Sequence, residues 1–351
     1  MTPLLLLLVL AGHVEIGWLQ DYPMVELTAS SRSLDGQELL KIGDIHEVQN
    51  HLQEALPYYQ RAVDAFRMKK NRRGEAAALI KVGHVLERQG KLEESAAAFH
   101  SAVSLLVDLG DQRSHAQALL NWGRVTQALG HTLEAEKAYR RSQDLFHRAG
   151  DRQGWTESSI RLGHLRVSQE RMAEALELLQ AALQDARARN DGPHQMAALT
   201  LIADARFESG ELGLAREHYQ QSLQLAEAQR DSPRAADVRL RLARLYEADE
   251  DYSASRTMAK KALTLYQTLR DRTREADTLS LLGRLDHAEG QAIQALEHHE
   301  QALMLYRALR NRMREAGSLA NLAVVYETQG SLDQARETQE KVVFLLQSHS
   351  E

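Results

Sequence analysis

The sequence predicts an all-α solenoid of about eight helix-turn-helix repeats over residues 33–348. Three observations carry this. Helix breakers and aromatics are scarce, with 5 Pro and 5% aromatic residues in 351, while strong helix formers dominate. Asn71, Asp111, Asp151, Asp191, Asp231, Asp271 and Asn311 recur at forty-residue intervals without insertion or deletion. Glycine or alanine then recurs at fixed distances after each of them, and a fixed period is the mark of a repeat array.

Each repeat reads in order. The Asn or Asp is an N-cap, whose short side-chain oxygen accepts from unpaired amides of the first turn. Pro193 and Pro233 follow their Asp by two residues, where a missing amide costs nothing. Twelve residues after the cap stand Gly83, Gly123, Gly163, Ala203, Ala243, Gly283 and Ala323, with Gly43 in register before them. Glycine inside a helix costs about 1 kcal/mol relative to alanine, so its recurrence calls for close approach of a neighbouring helix. Nineteen after the cap, Gly90, Gly130, Gly210, Gly290 and Gly330 break the helix, with Glu170 and Glu250 as exceptions. A second helix follows. It carries one row of small residues (Ala55, Ser95, Ala135, Ala175, Ala215, Ser255, Ala295, Ala335) and another seven residues on, from Ala62 to Ala302, broken at Val342. Seven residues are two turns, so both rows share a face. The repeats run about 33–70, 71–110, 111–150, 151–190, 191–230, 231–270, 271–310 and 311–348. Pro57 falls inside the second helix of the first repeat and is expected to shorten or kink it.

Stacked hairpins need polar ends. The last helix carries the run Val342-Val343-Phe344-Leu345-Leu346. Part of it should pack on its own hairpin and part should be exposed; a tolerated end, self-association through this uncapped helix, and truncation from a longer protein are the readings. Residues 1–32 are a leader, signal-like or disordered. Leu4–Leu10 is apolar but lacks a positive n-region and is far short of the ~20 residues that span a bilayer. A cytoplasmic location is expected, with export through residues 1–12 as the alternative and Met24 as another start.

The chemistry of catalysis is not visible. With 49 acidic and 43 basic residues, net charge is −6 and the signs are mixed, which is no nucleic-acid footprint. Cysteine is absent, which removes thiolate metal sites and Cys nucleophiles. Glycines are dispersed rather than gathered in a phosphate loop. His298-His299, flanked by Glu297 and Glu300, lacks the one-turn spacing of metal-binding histidines and reads as a solvated helix face. No enzyme, cofactor, metal site or membrane span is expected.

The pattern resembles the tetratricopeptide repeat, most clearly at Leu319, Leu322-Ala323, Tyr326, Gly330 and Ala335. The forty-residue period is similar to the long-helix subtype of the LGN/Pins adaptors and kinesin light chains. The Tyr position departs from the family as Leu86, Thr126, Arg166 and Arg206. The resemblance implies a right-handed superhelix whose first helices line a concave, ligand-holding groove. It implies a non-catalytic scaffold or adaptor binding a protein or peptide, with a peptide-sensing regulator or exported assembly factor as the alternative.

Two rows on that face are then candidate ligand contacts: Lys81, Asn121, Arg161, Arg241 and Asn321 ten residues after the cap, and His84, Arg124, His164, Arg244 and Arg284 thirteen after it. Complete with Lys41, Asp44, Leu201, Asp204, Leu281 and Val324, the rows hold seven Lys or Arg against two Asp. A one-signed concave surface attracts the opposite charge, here an acidic segment. A neutral or apolar peptide, or another face, remains open, because Glu157, Asp237, Glu87 and Glu247 stand one turn from Arg161, Arg241, His84 and Arg244. Lys81, His84, Arg124 and His164 look least compensated. The chaperone-type carboxylate clamp is not expected, because its lysine row is Leu40, Ile80, Leu120, Ile160 and Leu240.

Overall fold

The computed structural model describes residues 34–347; Leu4–Leu10, Met24 and the terminal residues Ser348–Glu351 lie outside them. Sixteen helices follow one another among the described residues: α1 (Gly36–Val48), α2 (Leu52–Met68), α3 (Arg72–Arg88), α4 (Leu92–Leu106), α5 (Gln112–Ala128), α6 (Thr132–Arg148), α7 (Arg152–Ser168), α8 (Met172–Ala188), α9 (Gly192–Glu208), α10 (Leu212–Ala228), α11 (Ser232–Ala248), α12 (Tyr252–Leu269), α13 (Arg272–Ala288), α14 (Ala292–Ala308), α15 (Arg312–Thr328) and α16 (Leu332–Gln347). Odd-numbered helices open the hairpins and even-numbered helices close them. Each packs on its chain neighbours, and most odd helices also touch the next odd helix.

The repeat chemistry explains this regularity. All seven predicted caps accept an amide three residues on, from Asn71 and Gly74 at 3.0 Å to Asn311 and Arg314 at 3.2 Å. Asp35 caps α1 in a capping box with Glu38. Every interhelix turn contains one residue in the left-handed region, and these fall twenty residues apart from Asn50 to Gly330. The exceptions at the glycine break, Glu170 and Glu250, take the same conformation at φ 58° and 59°. A side chain there is strained where glycine is not.

Within a hairpin, the recurring glycine admits an aromatic ring. A Cβ on Gly83 would stand 2.7 Å from Phe99, and one on Gly123 would stand 2.7 Å from Tyr139. In the seventh hairpin the ring beneath Gly283 is His299, 1% accessible, so the expectation of a solvated His298-His299 face is wrong. His298 instead meets Asp286 at 2.5 Å. The repeat register is the physical reason: position 299 is where Tyr59, Phe99, Tyr139 and Tyr219 point inward. The small rows let helices close. Ser95 and Ser255 donate to the Gly83 and Ala243 carbonyls at 2.8 and 2.7 Å.

Between hairpins, one position changes chemistry from joint to joint. Arg166, 1% accessible, makes two 2.7 Å hydrogen bonds to Glu136 of the preceding hairpin. These bonds hold the Glu136 carboxyl down at about 2. Three hairpins later the signs are exchanged, with Arg256 donating to the fully buried Asp286 at 2.5 Å. Of the departures at the tyrosine position, Arg166 is therefore a charge lock between hairpins, and Asp286 at the same phase is its sign-reversed counterpart.

Two expectations at the ends resolve. Pro57 does not shorten α2, which is seventeen residues long like most of the others. Gln53, whose carbonyl loses its partner, lies on the exposed side, where water satisfies it. At the other end Val342 and Leu345 pack with Leu303, Leu319 and Leu322, while Phe344 is 71% exposed.

Candidate functional site

All ten candidate residues lie on odd-numbered helices, in two rows one turn apart. The structure gathers Arg161, His164 and Arg241 around a recess of roughly 500 Å³ spanning α7, α9 and α11. His164, Arg241 and Arg244 share a smaller adjoining recess of roughly 250 Å³. Helices α7 and α9 touch extensively whereas α9 and α11 barely meet, which leaves this opening. Lys81, His84, Asn121 and Arg124 form a separate group on α3 and α5. Arg284 and Asn321 stand farther along, Arg284 with Glu247 and Asn321 with Ser280.

The groove is less one-signed than its two rows suggest. Each well-paired cation bridges to a carboxylate of the preceding odd helix, thirty-seven residues earlier, one repeat less one turn. Lys81 reaches Asp44 at 2.8 Å, Arg241 reaches both Asp204 oxygens at 2.6 Å, and Arg284 reaches both Glu247 oxygens at 2.8 Å. Arg124 pairs with Glu87, Arg274 with Asp237 and Arg314 with Asp277 in the same way. The Asn121 amide lies 3.3 Å from His84 Nε2 at the same offset.

This corrects the expectation that Lys81 and Arg124 are least compensated. The sequence view paired acids within a helix, but Glu87 and Glu247 turn to the next hairpin's arginine rather than to His84 and Arg244. Asp237 holds Arg241 at only 3.4 Å, and Glu157 holds Arg161 at 3.9 Å. Among the ten candidates the least engaged cations are in repeats four to six, Arg161 and above all Arg244, for which no ion pair or hydrogen bond appears among the described residues.

Burial tunes the histidines toward neutrality. Desolvation lowers the His84 pKa, helped by the Arg124 charge. His164 is open to the channel, yet crowding by protein atoms desolvates its ring and lowers its pKa as well. At neutral pH both rings are donors and acceptors rather than cations. Tyr219 and Tyr59 donate from the even helices into the bridges, at 2.5 Å to Asp204 and 2.7 Å to Asp44. These tyrosines, and Glu47, which also accepts from Tyr59 at 2.7 Å, were not among the predicted contacts; they are found only when the preceding repeat is laid beside each row, whereas Asp204 already stood in the row. Among the described residues no group of three or more His, Asp or Glu is placed to hold a metal ion, and no helix is long and apolar enough to cross a membrane.

A tetratricopeptide-repeat model matches residues 152–228, 194–268 and 274–347, and a second such model matches residues 40–114. Among similar solved structures is the apo form of the quorum sensor NprR from B. thuringiensis, 14% identical at a TM-score of 0.72, covering 90% of this chain and 89% of that one. The apo form of RapI is 15% identical at 0.64, covering 79% and 99%. The Rap conjugation gene regulator of the plasmid pLS20, solved in complex with the Phr* peptide, is 11% identical at 0.62, covering 90% and 97%. At such identities the likeness establishes fold alone. A search of curated proteins returns no match.

Proposed function

We propose, from the premise that this chain belongs to the tetratricopeptide-repeat family, that it is a non-catalytic scaffold holding a peptide segment against its odd-numbered helices. The observation that carries this reading is the roughly 500 Å³ recess, to which three successive odd helices contribute. Its lining mixes half-buried Leu201 and Ala197 with Arg161, Thr200 and Asp237, suiting a segment with both apolar and polar side chains. Most polar groups along the trough already have partners, so recognition falls to the few that do not. An acidic segment is the reading that the excess of loosely held arginine favours. The seventeen-residue helices support placing the array with the long-helix subtype of LGN/Pins and kinesin light chains.

Absence of catalysis is part of the proposal. Most acids and bases of the trough are tied to one another across hairpins, and the hydroxyls lining the recess, Thr200 and Ser222, bond each other rather than His164. A cytoplasmic location completes it, with export through residues 1–12 as the rival that mass spectrometry of the mature N-terminus decides. A second reading, a peptide-sensing regulator, is supported by the Rap relative solved with a bound peptide.

The test is selection from a random peptide library. Leu201→Glu, which removes an apolar contact and sets a like charge in the recess, is expected to weaken selected peptides at least about tenfold. If no peptide is selected, or binding ignores this substitution, the trough is not the binding face.

A further inference from the structure

Arginine stands thirteen residues after the cap in three hairpins: Arg124, Arg244 and Arg284. The facing position, sixteen after the preceding cap, is Glu87 for the first and Glu247 for the third, and both pairs form. Facing Arg244 is Phe207. The joint between the fifth and sixth hairpins thus lacks the carboxylate present at the second–third and sixth–seventh joints, and it is one where α9 and α11 scarcely touch. Two other acids line the adjoining recess. Asp204 is committed to Arg241 and Tyr219, and Glu208 makes no ion pair with Arg244. Arg244, Phe207 and Val167 all line the space left, together with His164 and Ser168.

We propose that a bound peptide supplies the missing rung: its carboxylate pairs with Arg244 while the next side chain, an apolar one, lies on Phe207 and Val167. This rests on the peptide-binding reading above and specifies its anchor. A guanidinium that shares a recess with an aromatic and an aliphatic side chain is chemically matched to a carboxylate carried next to an apolar group. The carboxylate comes from an Asp or Glu side chain or from a peptide C-terminus; the pairing is the same and the experiment separates them. A ligand so bound bridges α9 and α11, which scarcely touch each other directly.

Three short peptide libraries test this with the full chain: amidated peptides with a central Glu-Leu, the same with Gln-Leu, and the Gln-Leu set with a free C-terminal carboxylate. The first or third set is expected to bind at least about tenfold more tightly than the second, the worth of one charged hydrogen-bonded pair, and which set prefers identifies the carboxylate. Arg244→Gln should erase the preference. Phe207→Glu, which rebuilds the rung internally, should erase it too, and Lys260→Gln on the exposed side of α12 should leave it intact. Equal binding of the sets, or a preference that survives both substitutions, overturns the anchor while the trough reading stands. No binding by any set overturns both.

Discussion

Replacing His299 with phenylalanine should make the seventh hairpin resistant to mild acid. The ring is 1% accessible, lies under Gly283, and its Nδ1 has no hydrogen-bond partner. Desolvation, reinforced by the charges of Arg284, His298 and His287 and opposed by Asp286, lowers its pKa from 6.5 to about 4. The unfolded chain therefore takes up this proton near pH 6.5 while the folded chain refuses it until about 4. Stability from this group is fully present above pH 6.5 and is lost as pH falls toward 4. At 1.36 kcal/mol per unit, the loss between pH 7 and pH 5 is about 2 kcal/mol. Phenylalanine fits, because Phe99 occupies the equivalent place under Gly83. Amide exchange across α13 and α14 at the two pH values reads the local free energy, which in a repeat array is more informative than a global midpoint. The difference between pH 7 and pH 5 should shrink by about 2 kcal/mol in His299→Phe. An unchanged difference would refute the argument that the buried ring is the acid-sensitive element.

Other expectations concern the joints and turns. Glu136→Gln leaves the buried Arg166 charge with only Glu174, at 3.4 Å, to offset it and should cost about 3 kcal/mol in urea unfolding, whereas Glu136→Arg with Arg166→Asp copies the Arg256–Asp286 arrangement and should recover most of it. Because its carboxyl is held at about 2, Glu136 contributes stability above pH 4.5 that is lost as pH falls toward 2, a window below that of His299. Gly83→Ala pushes a methyl against the Phe99 ring and should cost about 1–3 kcal/mol by the same assay. Glu250→Gly relieves a left-handed side chain at φ 59° and should raise stability by about 1 kcal/mol.

The fold was legible because its rules are local and periodic. A cap, a glycine facing a ring and a left-handed turn recur at fixed phase, and Asn71, Gly83 and Gly90 announce them within twenty residues. The candidate rows were legible for the same reason. Their charge balance was not, since Glu87 and Arg124 lie thirty-seven residues apart and nothing in either helix says which neighbour the carboxylate chooses. His299 was misread because the adjacent pair His298-His299 drew attention away from its phase, although Tyr59, Tyr139 and Tyr219 mark that phase as inward. Arg166 looked like an irregularity in the aromatic pattern, and Asp286 at the same phase drew no reading at all. Only with the preceding hairpin in place do Glu136 and Arg256 turn them into matched pairs.

The central claim is that ligand lies along the odd helices and crosses the open joint between α9 and α11. Amide exchange of the full chain with and without a library-selected peptide measures this directly. The account predicts slower exchange confined to α7, α9 and α11, strongest on either side of that joint. Protection of the even helices, or of the α16 end around Phe344, with the odd helices unchanged would contradict it.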